Sequence, residues 1–160
     1  MDKLLASEGY RQHMFIWMSD ILRATQRMGD STRSGVPYLR WIREAVNTNK
    51  PWNKVVMDLL TASGRAWEPG NGAVGYFERD RGMPLDNMAN TTRIFLGTHI
   101  ECAQCHDHPY DKWKQTDFYE MSAFTHGLES HKMDDKRVYD LNKLVDGDNS
   151  EKDRPTFAQR

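Results

Sequence analysis

Residues 100 to 113 read IECAQCHDHPYDKW and contain both cysteines of the chain and two of its six histidines. Cys102, Cys105 and His106 stand in the spacing C-x-x-C-H, the pattern for covalent attachment of a c-type haem. The spacing has a chemical reason. Two thiols three residues apart on one turn can each form a thioether with a porphyrin vinyl group, and the next residue then aims an imidazole nitrogen at the iron from the same side. With His108 added, the same residues admit a second chemistry, a compact set of nitrogen and sulfur ligands for another metal. Structural zinc sites usually draw their second ligand pair from a distant segment, and only histidines remain here to supply one. A third reading makes Cys102 and Cys105 small buried residues and the histidines polar surface.

A second iron ligand has to approach from the other side of the porphyrin. His99 is placed by periodicity on the same helix as His106, which is the wrong side. His13, with Met14 and Met18 near it, lies on a separate helix and is the distal candidate; an open iron position is the alternative. Asp107 suits two roles, orienting His106 or His108 by a hydrogen bond as carboxylates do for ligating imidazoles, or capping the following turn. Tyr110 and Trp113 are aromatic groups that either cover a porphyrin edge or close a core.

These residues are carried by a chain that reads as mostly helical. Apolar positions Met14, Met18, Ile21, Leu22 and Met28 predict one long helix from Tyr10 to Met28. Pro37 suits the first turn of a second helix with Leu39, Ile42, Ala45 and Val46 on one face, and Pro51 that of a third with Val55, Val56, Leu59 and Leu60. Residues 63 to 84 hold five Gly and two Pro and predict an ordered loop anchored by Trp67, Tyr76 and Phe77. From Leu85 the residues Met88, Thr92, Phe95, His99, Cys102 and His106 recur at steps of three or four, which predicts a fourth helix ending near Asp107, since His108 precedes a proline. Asp117 with Glu120 fits a capping box opening a fifth helix, with Phe118, Met121, Phe124 and Leu128 as its stripe. A short strand is expected around Arg137 to Leu141, then a charged tail. The fold class is therefore all-α: about five helices around one covalently bound haem, with a Gly/Pro-rich loop and a charged C-terminal extension. Residues 1–128 form the helical domain and 129–160 the charged, partly disordered extension or linker.

Composition narrows the function. Twenty-two basic against twenty-three acidic residues give a formal charge of −1, which offers a polyanion such as nucleic acid no attractive field. The sequence contains no apolar run long enough to span a membrane and no signal-peptide pattern at its start. Hydrophobic residues make up 38%, so large side chains, or a bound cofactor, must fill the core. GNGAVG lacks the strand before it and the helix after it that a dinucleotide loop needs.

The stretch TTRIFLGTHIECAQCHDHPYDKWKQTDFYEMSAF, together with DKLLASEGYRQHM, NKPWNKVVMDLLTASG and NGAVGYF, closely resembles a domain of unknown function, number fifteen forty-nine. That family is found in large secreted proteins of planctomycetes and related bacteria, often beside a planctomycete-type cytochrome c domain. The resemblance spans residues 1 to about 128. It implies haem c, with Cys102 and Cys105 as thioether positions and His106 as proximal ligand, and an extracytoplasmic location. It also implies that the chain is part of a longer polypeptide, and it assigns no role to His108 or Asp111. The expected function is one-electron transfer with redox partner proteins or neighbouring cytochrome domains. The alternatives are a peroxidase-like redox module with an open iron site, in which His108 or His126 acts near the substrate, and a non-haem metal-binding or interaction domain.

Overall fold

Seven α-helices, two 3₁₀ turns and two antiparallel two-stranded ribbons are formed in the computed structural model, which describes residues 2–28, 33–66, 68–81, 83–126, 130–133 and 136–139. Helix α1 spans Asp2–Leu5 and α2 Glu8–Ile21. The Ser7 hydroxyl accepts the Tyr10 N–H at 3.1 Å and so opens α2, satisfying one of the amide donors that a helix start leaves unpaired. The predicted continuation to Met28 does not occur. Arg23 takes a left-handed backbone at φ 54°, and the Ala24 N–H closes back on the Ser19 carbonyl at 2.8 Å. Met28 instead lies in a short ribbon, β1 Arg27–Met28 against β2 Arg33–Ser34.

Helices α3 (Val36–Asn47) and α4 (Trp52–Leu60) form where the two prolines place them. Asn49 ends α3 at φ 49°, with the Lys50 N–H on the Ala45 carbonyl, a left-handed cap that asparagine tolerates better than most side chains. Tyr38, Trp41, Ile42 and Ala45 of α3 meet Val55 and Leu59 of α4 and Met18 and Leu22 of the α2 end in the first of two core clusters.

The segment expected to be a loop also packs into this cluster. It forms a 3₁₀ turn, Gly72–Val74, and a short helix α5, Gly75–Arg79, with Tyr76 and Phe77 buried as predicted; Trp67 lies outside the described residues. Its glycines serve close packing. A Cβ on Gly75 would stand 2.4 Å from the Cβ of Tyr38, and one on Gly72 2.3 Å from the Pro37 carbonyl oxygen, so the turn seats directly on α3.

The Tyr76 and Thr91 hydroxyls share a hydrogen bond of 2.7 Å, and burial pushes the Tyr76 phenol up to about 12 despite it. Burial, reinforced by neighbouring Tyr76, also raises Tyr38 well above its ordinary value. Both shifts favour the protonated form in the folded state. Their stabilisation is fully present below the ordinary tyrosine pKa of about 10 and is lost as pH rises from there toward the folded value. For Tyr76 the loss is about 2–3 kcal/mol. Urea unfolding between neutral pH and pH about 11 should show stability falling in alkali, and the fall should shrink in Tyr76→Phe.

Helix α6, Pro84–Leu96, joins the two clusters. Ile94 and Phe95 pack on the first, with Phe95 5.9 Å from Trp52 and 5.8 Å from Tyr76 between ring centroids. Met88 and Ala89 enter the second with Ile100, Ala103 and Phe118. The helix ends at Gly97, whose φ of 62° is left-handed. The predicted single helix through the cysteine motif is thereby corrected: Cys102 belongs to a separate 3₁₀ turn, Glu101–Gln104, and His99 to the link before it. Helix α7, Gln115–His126, packs on both α6 and that turn. Ribbon strands β3, Ser130–Met133, and β4, Lys136–Tyr139, pair antiparallel, so the strand expected at 137 to 141 is present as half of a hairpin. Leu128 and the tail beyond Tyr139 lie outside the described residues.

Candidate functional site

The cysteine motif is held by its one apolar residue. Ala103 is 0% exposed in the second cluster, and this anchors a 3₁₀ turn whose flanking thiols, Cys102 and Cys105, are both free and exposed. The reading that made them small buried residues is overturned. Their turn is fixed from below by α7: the Gln104 carbonyl accepts the Tyr119 hydroxyl at 3.1 Å and the Gln115 side-chain amide at 3.2 Å. A buried pivot with outward thiols leaves both sulfurs accessible to a reagent arriving from solvent.

His106 follows, exposed, with Nδ1 2.6 Å from the Asp107 carbonyl oxygen. A carbonyl only accepts, so Nδ1 carries the proton and Nε2 keeps its lone pair, the tautomer of a metal-ligating imidazole. His108 is set the other way. Its Nδ1 accepts the Tyr110 N–H at 3.3 Å, while its backbone N–H donates to the Trp113 carbonyl at 2.8 Å. His108 therefore closes the loop between the motif and α7. Among the described residues no group of three or more His, Cys, Asp or Glu side chains is gathered to hold a metal ion, so the compact knuckle of Cys102, Cys105, His106 and His108 is not assembled.

Asp107 resolves between its two expected roles. Its carboxylate accepts the Gln115 N–H, the first of α7, at 3.0 Å, while Asp117 accepts the Lys114 N–H at 2.9 Å. Helix α7 thus starts two residues before the predicted Asp117, and Asp117 reaches back to the residue before the helix. The Asp107 side chain caps; only its backbone carbonyl orients His106. Asp107→Ala should cost about 1 kcal/mol of stability by losing the cap, while the His106 contact survives. A urea unfolding curve checks the first half, and an unchanged His106 ring signal in nitrogen NMR checks the second.

Elsewhere the expected residues disperse. His13 is exposed on α2, whose partner is α3 in the first cluster, away from the cluster that carries the motif. His99 faces Glu101 at 3.7 Å. Tyr110 is 95% exposed and covers nothing. His126 is the last residue of α7, and its side chain lies outside the described part.

Sequence reasoning missed a groove beside the motif. A cavity of about 380 Å³ opens between α6 and α7, with Leu96, Ile100, Trp113, Phe118, Met121 and Phe124 on its walls. Ile100 immediately precedes the motif's turn, and Trp113 ends the loop after it. At the mouth Leu96 is 63% and Phe124 72% exposed, apolar area that solvent alone does not explain. The only available signal was the α7 stripe of Phe118, Met121 and Phe124, which reads as core until Phe124 is seen in solvent. Two accessible thiols on one turn beside an exposed imidazole are the donor set that covalent attachment of a porphyrin requires, whereas the groove's walls include none of Cys102, Cys105 or His106. No helix among the described residues is long and apolar enough to cross a membrane.

The chain belongs to the PSCyt2 family, described as a protein of unknown function (DUF1549), whose model matches residues 1–130. No curated protein and no solved structure matches the chain.

Proposed function

We propose that this PSCyt2 member is an extracytoplasmic c-type cytochrome domain that passes single electrons to a redox partner protein or a neighbouring cytochrome domain. Cys102 and Cys105 would bind the porphyrin as thioethers and His106 Nε2 would hold the iron on one side. The observation that carries this reading is the pairing of two free, exposed thiols on one turn with an adjacent imidazole whose Nδ1 faces the Asp107 carbonyl at 2.6 Å. When bound, the haem supplies an iron that gains and loses one electron. The chain's part is to fix that group. The buried Ala103 and the contacts of Gln104 with α7 keep the turn from following the motion of an attached ligand. The Asp107 carbonyl holds the imidazole ring in one orientation.

The test is export of the chain through a cytochrome maturation system, followed by intact mass and a visible spectrum. One added haem and a Soret band are expected. Folded protein with the mass of the bare chain and no Soret band would overturn the proposal.

A further inference from the structure

We propose that a second cleft, formed by α2, the α3–α4 turn and the start of α4, binds a proline-rich segment of a partner protein in extended polyproline form. The proposal goes beyond the haem reading and stands independently of it. The cleft measures about 260 Å³ and borders the first cluster, not the one that carries the cysteine motif. Tyr10 and Trp17 reach it from α2, Trp52 is the first residue of α4, and Asn49 and Lys50 belong to the turn between α3 and α4. Trp17 stays 46% exposed, Trp52 44% and Tyr10 39%, whereas Trp41, in the first cluster, is 8% exposed. Amphipathic rings held half in water are enriched where proteins meet partners. The Trp52 ring is braced by Phe95, 5.9 Å away between centroids, so less side-chain freedom remains to be lost on binding.

The chemistry of the lining selects the occupant. Its side chains carry two indole N–H groups, a phenol, the Asn49 amide and the Lys50 ammonium, and no carboxylate is among them. Lys50 is paired with Asp58, while among the described residues the side chains of Tyr10, Trp17, Asn49 and Trp52 make no hydrogen bond. Positive ends of dipoles predominate, so the complementary ligand presents acceptors and few donors. A polyproline helix does so. Its carbonyls have no internal partner, its prolines have no N–H to leave stranded, and its pyrrolidine rings pack on aromatic walls at a small entropy cost because the helix is already formed. A sugar brings a donor with every hydroxyl and would find no carboxylate here to accept it. The volume falls just below the roughly 300–1,000 Å³ of pockets that engulf small molecules, which suits a chain laid across the surface. The left-handed backbone of Asn49, at φ 49°, sets the turn that presents two of the polar groups.

The test is isothermal calorimetry of the full chain against decaproline blocked at both ends. Saturable binding is expected, with the same affinity in the native chain and in Cys102→Ser/Cys105→Ser, since the cleft owes nothing to the motif. Trp17→Phe and Trp52→Phe each keep a ring and remove an N–H, and each should weaken binding about three- to tenfold. Asn49→Gly keeps the left-handed turn, removes the amide and should weaken binding by a similar factor. No saturable heat with decaproline overturns the proposal, and so does an affinity unchanged in Trp17→Phe/Trp52→Phe. Equal affinity for an alanine–glutamine peptide of the same length overturns it by removing the role of proline. Binding of cellohexaose in place of decaproline assigns the cleft to a sugar, and a native dimer that dissociates in Trp17→Phe/Trp52→Phe assigns it to a second copy of the chain; either overturns it.

Discussion

A chain with serine at both Cys102 and Cys105 is expected to leave a cytochrome maturation system with no covalently attached haem, and to be folded as well as the native protein. Both halves follow from where the sulfurs sit. The nucleophile in thioether formation is sulfur, and a hydroxyl is far less reactive under the same conditions. Both cysteines are exposed and neither belongs to a core cluster, so replacing sulfur with oxygen removes almost no packing and should change stability by less than about 0.5 kcal/mol. The single variants separate the two positions. Each keeps one thioether site, so each should carry some haem, released more easily under denaturing conditions. His106→Ala should keep both attachments and change the spectrum instead, because it removes the Nε2 donor and leaves the thiols in place. The checks are haem stain after denaturing electrophoresis, intact mass and urea unfolding on the same preparations. Retained haem in the double serine variant would show that Cys102 and Cys105 are not its anchors. Loss of haem together with loss of folding would assign the cysteines to structure.

How much of this was legible in the sequence depends on the kind of signal. Helices α3 and α4 were legible because proline and apolar period act locally and agree. The all-helical class followed for the same reason. Two element ends were misread, and both are left-handed caps. Gly97 is a glycine just past a periodic stretch, a recognised stop signal, but the i, i+3, i+4 recurrence through Phe95, His99 and Cys102 outweighed it. Arg23 gave no local signal, since an arginine at φ 54° is held by what surrounds it. The Gly-rich segment was readable as punctuated and not as core. What decides its fate is the distance to Tyr38 and Pro37, fixed by tertiary packing. At the candidate site, spacing alone singles out the thiols and His106. The groove was not, because Leu96, Ile100, Trp113 and Met121 come together only once α6 stops and α7 folds back. Spacing also singles out Asp107 and His108, yet the division of labour between them rests on which side-chain atom meets which backbone group, and no spacing encodes that.

Replacing Asp80 with Ala is expected to lower the unfolding free energy by about 3–5 kcal/mol, the usual cost of leaving one partner of a buried ion pair behind. The Asp80 side chain is 1% exposed and pairs with the Arg23 guanidinium. It also accepts the Asn87 side-chain N–H at 3.1 Å. Asp80 follows α5, Arg23 follows α2, and Asn87 stands in the first turns of α6, so one carboxylate ties together three elements that share no continuous hydrogen-bonded ladder. The Arg79 Nε–H, donating to the Arg23 carbonyl at 3.2 Å, adds a second tie at the same junction. Loss of Asp80 leaves the Arg23 charge in a largely buried position, with its strained backbone no longer held by the pair, and takes from Asn87 a partner that buried amides need. Arg23→Ala should cost less, because the Arg79 guanidinium, 3.9 Å from the Asp80 carboxylate, and the Asn87 amide still face that buried charge. Arg23→Met combined with Asp80→Leu should cost much less than the two single losses added, because no charge is then left buried. Urea unfolding of the four proteins gives the coupling energy directly. Additive losses, or a loss below about 1 kcal/mol in Asp80→Ala, would mean that solvent reaches the pair and that apolar packing alone holds α2 to α6. The expected non-additivity has a consequence at the motif. Asn87 is adjacent to Met88, which enters the cluster that anchors Ala103, so Asp80→Ala should also lower the yield of haem-loaded protein while leaving the spectrum of what is loaded unchanged.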